Sequence, residues 1–337
     1  MTAPARDPFW WGPRLDREKE KSEYNMALCY YRTDTHERHA LCGQASTQGV
    51  FCFLAGASRA LPTLQRAFGA MRRRVCLALC LMTIGPWAAA AMSTEPQAMR
   101  RQVRITVVYN NVPLAPGLAT AWGFAAVIET GDHTVLFDTG GDGRTLLANM
   151  QRLGIDPSSI DAVVLSHLHG DHTGGLNDFL DRHSNVTVYM PDSFPMPFRR
   201  SVERHGARVE TVTKARRLFA NLHSVGEMSD SIKEQALIID TSEGLAVVTG
   251  CAHPGIVEIA EVARNYLNRE IHLLMGGFHL LGHGENKLRG TVQALRNLGI
   301  HKVAPSHCTG DVAIALFREK WGSGFIEGGC GAIIEIP

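Results

Sequence analysis

The chain has 337 residues, of which 45% are hydrophobic and 20% charged, with a formal net charge of +1. That apolar content is enough for a real core, and the length allows one large domain or two ordinary ones. A charge so close to zero gives no ground for wholesale attraction to nucleic acid or to an anionic membrane surface, so neither is expected as a partner.

In chain order, the first distinctive feature is Met71-Arg72-Arg73-Arg74, followed by an apolar run from Val75 to Ala91 that is interrupted by Gly85-Pro86 and closed by four alanines. A positive start, an apolar stretch, a helix-breaking pair and small residues at the end are what a secretion peptidase reads, so residues 71–91 are expected to be a signal peptide. The run falls short of the ~20 residues that a spanning helix needs, so no stable membrane anchor is expected. A signal peptide acts at the start of a translated chain. Residues 1–70 are therefore read as an upstream extension, with Met71 as initiator and a periplasmic or secreted destination. Retention of Trp10 and Trp11 in the natural protein would contradict this. The competing reading makes 1–70 a small metal-binding domain using Cys29, His36, His39 and Cys42, but that spacing fits no ordinary zinc pattern. Cleavage near Ala91 leaves 337 − 91 = 246 residues as one domain, 92–337. Five of the eight cysteines precede Met92, leaving Cys251, Cys308 and Cys330 in it.

Beyond Met92 the pattern is that of alternating strands and helices. Val103 to Val108 is β-rich, and Phe124 to Glu129 with Thr134 to Asp138 form a hairpin around Gly131-Asp132. Arg144 to Leu153 carries apolar residues at helical spacing and stops at Gly154. Ala162 to Leu165 is a short apolar run of the kind buried on both faces. Further strands are expected at Val186 to Met190, Gln235 to Asp240, Leu245 to Thr249, Ile271 to Met275 and Lys302 to Ala304. Helices are expected at Gly255 to Leu267 and Lys287 to Leu298. Pro191 to Arg217, rich in Pro, Phe and Arg, is read as a loop covering substrate. Its Arg199, Arg200, Arg204 and Arg208 either hold an anionic group or form a solvated basic face. The sum is a mixed α/β chain, two strand-rich halves with outer helices.

Ser166-His167-Leu168-His169-Gly170-Asp171-His172 follows the buried strand at once. In extended chain, His167 and His169 project to one side and can share a cation. A turn at Gly170 would aim Asp171 and His172 at a second, and Gly174-Gly175 permits close backbone approach. So many polar side chains at one strand end are expensive unless something binds them. Imidazole and carboxylate suit zinc, with iron or manganese also compatible. The isolated His133, His183 and His223 are read as ordinary hydrogen-bonded residues.

This segment resembles the HxHxDH signature of the metallo-β-lactamase superfamily, and the resemblance runs from Val103 to Pro337. It implies an αββα sandwich holding one or two metal ions. Leu136-Phe137-Asp138-Thr139-Gly140 resembles the first superfamily motif, whose aspartate, here Asp138, supports the ligands by hydrogen bonding. Gly250-Cys251-Ala252-His253-Pro254 would supply His253 to the first ion alongside His167 and His169. Pro305-Ser306-His307-Cys308 would supply His307 to the second, alongside Asp171 and His172. The fourth motif departs from the pattern: where the superfamily places a bridging aspartate, this chain has Gly276-Gly277-Phe278-His279. His279 is read as a catalytic residue that serves as ligand or substrate contact, with a solvated histidine as the alternative.

The implied chemistry is hydrolysis of an ester, lactone, amide or phosphoester of a small, sometimes anionic molecule, by water that the metal acidifies and Asp171 orients or deprotonates. Cys251 and Cys308 lie close to implied ligands, and three roles fit them: small packing groups, a disulfide, or auxiliary ligands. The full motif set is also similar to a subgroup that includes 7,8-dihydropterin-6-methyl-aminobenzene ribofuranosyl phosphate synthase-like proteins. A pterin-related synthase and a metal-retaining binding protein with little turnover are therefore the alternatives to a hydrolase.

Overall fold

The computed structural model describes residues 102–337. The segments expected to be an upstream extension and a signal peptide, and the Cys29, His36, His39 and Cys42 set, lie outside the described residues. From Val103 onward the chain builds two mixed sheets, each with helices on its outer face.

The first sheet is made of Val103–Asn110 (β1), Phe124–Glu129 (β2), Thr134–Phe137 (β3), Ala162–Val164 (β4), Thr187–Pro191 (β5) and Arg208–Val212 (β6), closed at its far edge by the C-terminal Ile333–Ile336. The second is made of Lys214–Arg217 (β7), Leu222–Gly226 (β8), Leu237–Thr241 (β9), Gly244–Thr249 (β10), Ile271–Gly277 (β11) and Lys302–Ser306 (β12). The C-terminal strand, β13, returns beside β1. Both sheets follow one plan, since neighbours pair antiparallel at one end and parallel at the other. The β2–β3 hairpin and the β9–β10 pair are where the sequence puts them.

Between the sheets lies an apolar layer that includes Ile105, Phe124, Phe137 and Val164 from one side and Leu237, Val248, Leu273 and Met275 from the other. The inner strands read as unbroken apolar runs because both of their faces are covered. Gly143–Arg152 (α1), Leu176–Arg182 (α3) and Met196–Arg204 (α4) close the outer face of the first sheet through Leu146, Met150, Phe179 and Val202. Ile256–Leu267 (α5), Glu285–Asn297 (α6) and Asp311–Trp321 (α7) close the second through Ile259, Leu288, Leu295 and Phe317. The result is the αββα sandwich. Among the described residues no helix is long and apolar enough to cross a membrane.

One expectation fails. Pro191 to Arg217 is not a covering loop, since it folds as α4, β6 and β7. Within it Arg199 is committed to the chain's own backbone, donating to the Phe194 carbonyl at 2.9 Å and to Asp192. The expected turn at Gly170 is present, with the His172 N–H donating to the His169 carbonyl at 3.1 Å. Gly170 opens a single helical turn, Gly170–Thr173 (α2), and a β-carbon there would meet open space. Glycine is needed instead at Gly174, where a β-carbon would lie 2.2 Å from the Gly141 carbonyl oxygen.

Candidate metal centre

Parallel strands place their C-terminal ends on one edge, and the chemistry-bearing residues sit there. His167 and His169 follow β4, and Asp171 and His172 ride on α2. Cys251 and His253 follow β10, His279 follows β11, and His307 follows β12. Asp138 follows β3. Each strand therefore ends by delivering one or more polar groups. The backbone is bent to do so: Asp138, Ala252, His279 and His307 all have φ between 50° and 61°. Such conformations cost about 1–3 kcal/mol each and persist where surrounding structure enforces them.

Hydrogen bonds fix which nitrogen of each ring faces inward. Ser166 Oγ lies 2.7 Å from Asp138 Oδ2 and 2.9 Å from His167 Nδ1. With the hydroxyl donating to the carboxylate, it accepts from Nδ1 and leaves the His167 Nε2 lone pair free. His172 Nδ1 donates to Asp138 Oδ2 at 2.7 Å, which frees its Nε2. His307 Nδ1 donates to Asn111 Oδ1 at 2.8 Å, which frees the His307 Nε2.

The freed atoms converge in two sets. His167 Nε2 stands 3.1 Å from His169 Nδ1. The His253 ring centroid is 4.8 Å from that of His167 and 4.9 Å from that of His169, and its buried Nε2 has no hydrogen-bond partner. In the second set Asp171 Oδ2 lies 3.5 Å from His172 Nε2 and 3.3 Å from His307 Nε2. The six residues expected from the sequence are thus brought together as His167, His169 and His253 beside Asp171, His172 and His307. Facing imidazole lone pairs and an orphaned buried nitrogen are poorly satisfied by one another and well satisfied by a cation, so the donors fit a metal ion.

The local electrostatics suit a bound cation. Burial, reinforced by neighbouring imidazoles, holds His167 well below the ordinary histidine range. Burial and then His279 push His253 down to about 3. Burial works against both charged forms at Asp171 and His172, yet their mutual attraction prevails: the carboxylate is held well below its usual range and the imidazole well above.

His279 stands at the rim, exposed, its ring centroid 4.2 Å from that of His253. A hydrogen bond that its protonated ring donates to Cys308 raises its pKa, against burial. Trp122, 43% exposed, lies with its ring centroid 4.9 Å from that of His307 and forms part of the mouth. Cys251, Cys308 and Cys330 are all buried free thiols, so the disulfide reading does not hold. His133, His183 and His223 lie outside the cluster. His183 Nε2 bonds the Ile160 carbonyl at 3.2 Å, whereas the buried His223 Nδ1 has no partner, contrary to expectation.

Two supporting residues escape sequence reasoning. Glu234, fully buried, accepts the backbone N–H groups of Cys251 at 2.9 Å, Ala252 at 2.9 Å and His253 at 2.8 Å, clamping the loop that carries them. Burial raises its pKa to about 7, against those three donors. Asn111, which orients His307, is the other. A lone acid before an apolar run and an asparagine after a strand carry no local signal of either role.

Residues 123–307 match the family model described as the metallo-beta-lactamase superfamily. A 7,8-dihydropterin-6-methyl-4-(beta-D-ribofuranosyl)-aminobenzene-5'-phosphate synthase of Methanocaldococcus jannaschii is 29% identical over 247 residues, which span 60% of this chain and 84% of the relative. A crystal structure described as a metal-dependent hydrolase of the beta-lactamase superfamily superposes with a TM-score of 0.61 at 26% identity, covering 69% of this chain and 99% of its own. The metallo-beta-lactamase fold protein YhfI from Bacillus subtilis, at 15% identity and a TM-score of 0.51, covers 70% and 100% and shares the fold.

Proposed function

Because the chain belongs to the metallo-β-lactamase superfamily, we propose that it is a metal-dependent hydrolase that uses activated water on an ester, lactone, amide or phosphoester of a small molecule. The observation that carries this reading is the convergence of His167, His169 and His253 with Asp171, His172 and His307. In three of these rings, His167, His172 and His307, a hydrogen bond at Nδ1 leaves Nε2 for the site. Zinc, one or two ions, is the proposed occupant, with iron or manganese compatible with the same donors.

When bound, a divalent cation with an open position supplies a Lewis acid and acidifies water. The chain's own groups do the rest. Asp171 stays ionised and can orient an attacking water or take its proton. Asp138 and Ser166 keep His167 and His172 in the required tautomers. His279, at the rim and more readily protonated than an ordinary histidine, can contact the substrate or give a proton to the leaving group. Trp122 and the 51% exposed Leu281 offer apolar surface to the remainder of the substrate.

A second reading is supported by the methanogen relative, which is named as a synthase. Metal analysis together with turnover of an ester, a lactone, a phosphodiester and a β-lactam tests the first reading. Joining of a reduced pterin to a ribofuranosyl-aminobenzene phosphate tests the second. The hydrolase reading expects bound metal and hydrolysis of at least one of the four, abolished in His167→Ala and in His253→Ala. Bound metal with joining activity and no hydrolysis would replace it with the synthase, and bound metal with neither would leave a binding protein.

A further inference from the structure

We infer that Cys251 is a seventh metal ligand, its thiolate shared between the two halves of the centre. This rests on the metal reading above and adds to it a donor of a different chemical kind.

The placement of the sulfur carries the inference. Cys251 Sγ lies 3.2 Å from His172 Nε2 and 3.4 Å from His307 Nε2, the two nitrogens whose lone pairs face the Asp171 half. Its ligand atom falls within 4.8 Å of those of Asp171, His172 and His307 as one group, and of those of His167 and His253 as another. Cys251 is the shared member of these two groups. Cys308, by contrast, groups only with Cys251 and His279, and its Sγ turns to the Cys251 carbonyl at 3.6 Å.

The surrounding chain leaves this space to sulfur. A β-carbon at Gly277 would stand 2.3 Å from the Gly250 carbonyl oxygen, 2.7 Å from Cys308 Sγ and 3.2 Å from Cys251 Cα. Position 277 at the end of β11 can therefore present no side chain to the centre, and the nearest polar group that β11 delivers is His279 at the rim. Nor can Gly250 carry a side chain, since its β-carbon would meet Ser166 Oγ at 2.1 Å. Glu234 holds the Cys251 N–H and so fixes the backbone from which the thiol projects. No carboxylate from β11 joins the two halves, and the Cys251 sulfur stands between them.

Chemically, a thiolate has lone pairs for two cations, whereas a neutral thiol is a poor partner for two imidazole nitrogens. On binding, the Cys251 S–H bond breaks, the sulfur–metal bond forms with the sulfur's electron pair, and the proton leaves to solvent. Nothing is oxidised or reduced. With Cys251 counted, each half would offer four protein donors, so water would take a fifth position, and the soft sulfur favours zinc or iron over magnesium or manganese.

The test is absorption spectroscopy of the whole protein loaded with cobalt(II), with bound cobalt counted by mass spectrometry. Wild type is expected to show a near-ultraviolet thiolate-to-cobalt charge-transfer band. Cys308→Ala should keep the band, whereas Cys251→Ser should lose it and bind cobalt more weakly. Cobalt uptake by wild type without the band would overturn the thiolate ligand while leaving the metal reading standing, and this outcome needs no variant to fold. A band that persists in Cys251→Ser, or vanishes in Cys308→Ala, would also overturn it. Failure of wild type to take up cobalt at all would overturn both.

Discussion

Replacing Asp138 with asparagine should damage the centre without touching a candidate ligand. The carboxylate accepts the Ser166 N–H at 2.6 Å, the Ser166 hydroxyl at 2.7 Å and His172 Nδ1 at 2.7 Å. An asparagine of the same size keeps its carbonyl toward the Ser166 N–H and turns its NH2 group to the other two. The Ser166 hydroxyl must then accept from that NH2 and donate to His167 Nδ1, while His172 Nδ1 must also become an acceptor. Both rings move their proton to Nε2, the atom each needs for the metal. One isosteric change thus inverts a tautomer in each half. Loss of such an orienting partner typically weakens metal binding 10–100-fold, about 1.4–2.8 kcal/mol per ion. Competition with a chromophoric chelator measures the affinity, and nitrogen NMR of the metal-free protein reports the tautomers. Unchanged tautomers with affinity within twofold of wild type would refute the reasoning.

Two further outcomes follow from the same geometry. In the metal-free protein Glu234 has its pKa raised from 4.5 to about 7. The folded chain therefore holds this proton where the unfolded chain has lost it, so the stabilisation is complete below 4.5 and disappears as pH rises through 7. Relative to wild type, Glu234→Gln should gain about 3 kcal/mol between pH 4 and pH 8, from 2.5 pKa units at 1.36 kcal/mol each. Urea unfolding at several pH values checks this, and a gap that does not change with pH would contradict it. Arg199→Ala should lower stability by about 1 kcal/mol through its lost bonds to Asp192 and Phe194, and leave KM for any substrate found unchanged. A large rise in KM would instead return Arg199 to the role of an anion-binding residue.

Most of what positions the centre is legible in the sequence, because buried strands and metal donors leave local signatures. Ala162 to Leu165 is apolar throughout since both of its faces are covered, and the histidine-aspartate cluster follows it directly. The Gly131-Asp132 turn marks its hairpin. What escapes is what depends on distant partners. β6 and β7 form the edges of their sheets and expose charged residues such as Arg208, Glu210 and Lys214, so they carry no continuous apolar run. α7 is different, since its buried Ala313, Ile314, Phe317 and Trp321 lie at helical spacing and could have been read. Glu234 and Asn111 act across 19 residues to His253 and 196 residues to His307, and no periodicity encodes such contacts. Cys251 is visible in the sequence, but its place between two sets of imidazoles appears only once β10, β11 and β12 are side by side.

Six side chains from distant segments must share bound metal for this chemistry to occur. A crystal structure of the metal-loaded protein with anomalous scattering tests this most directly. The expected result is ions held by His167, His169 and His253 and by Asp171, His172 and His307. Ions bound elsewhere, or a loaded protein in which His253 and His307 contact no metal, would contradict it.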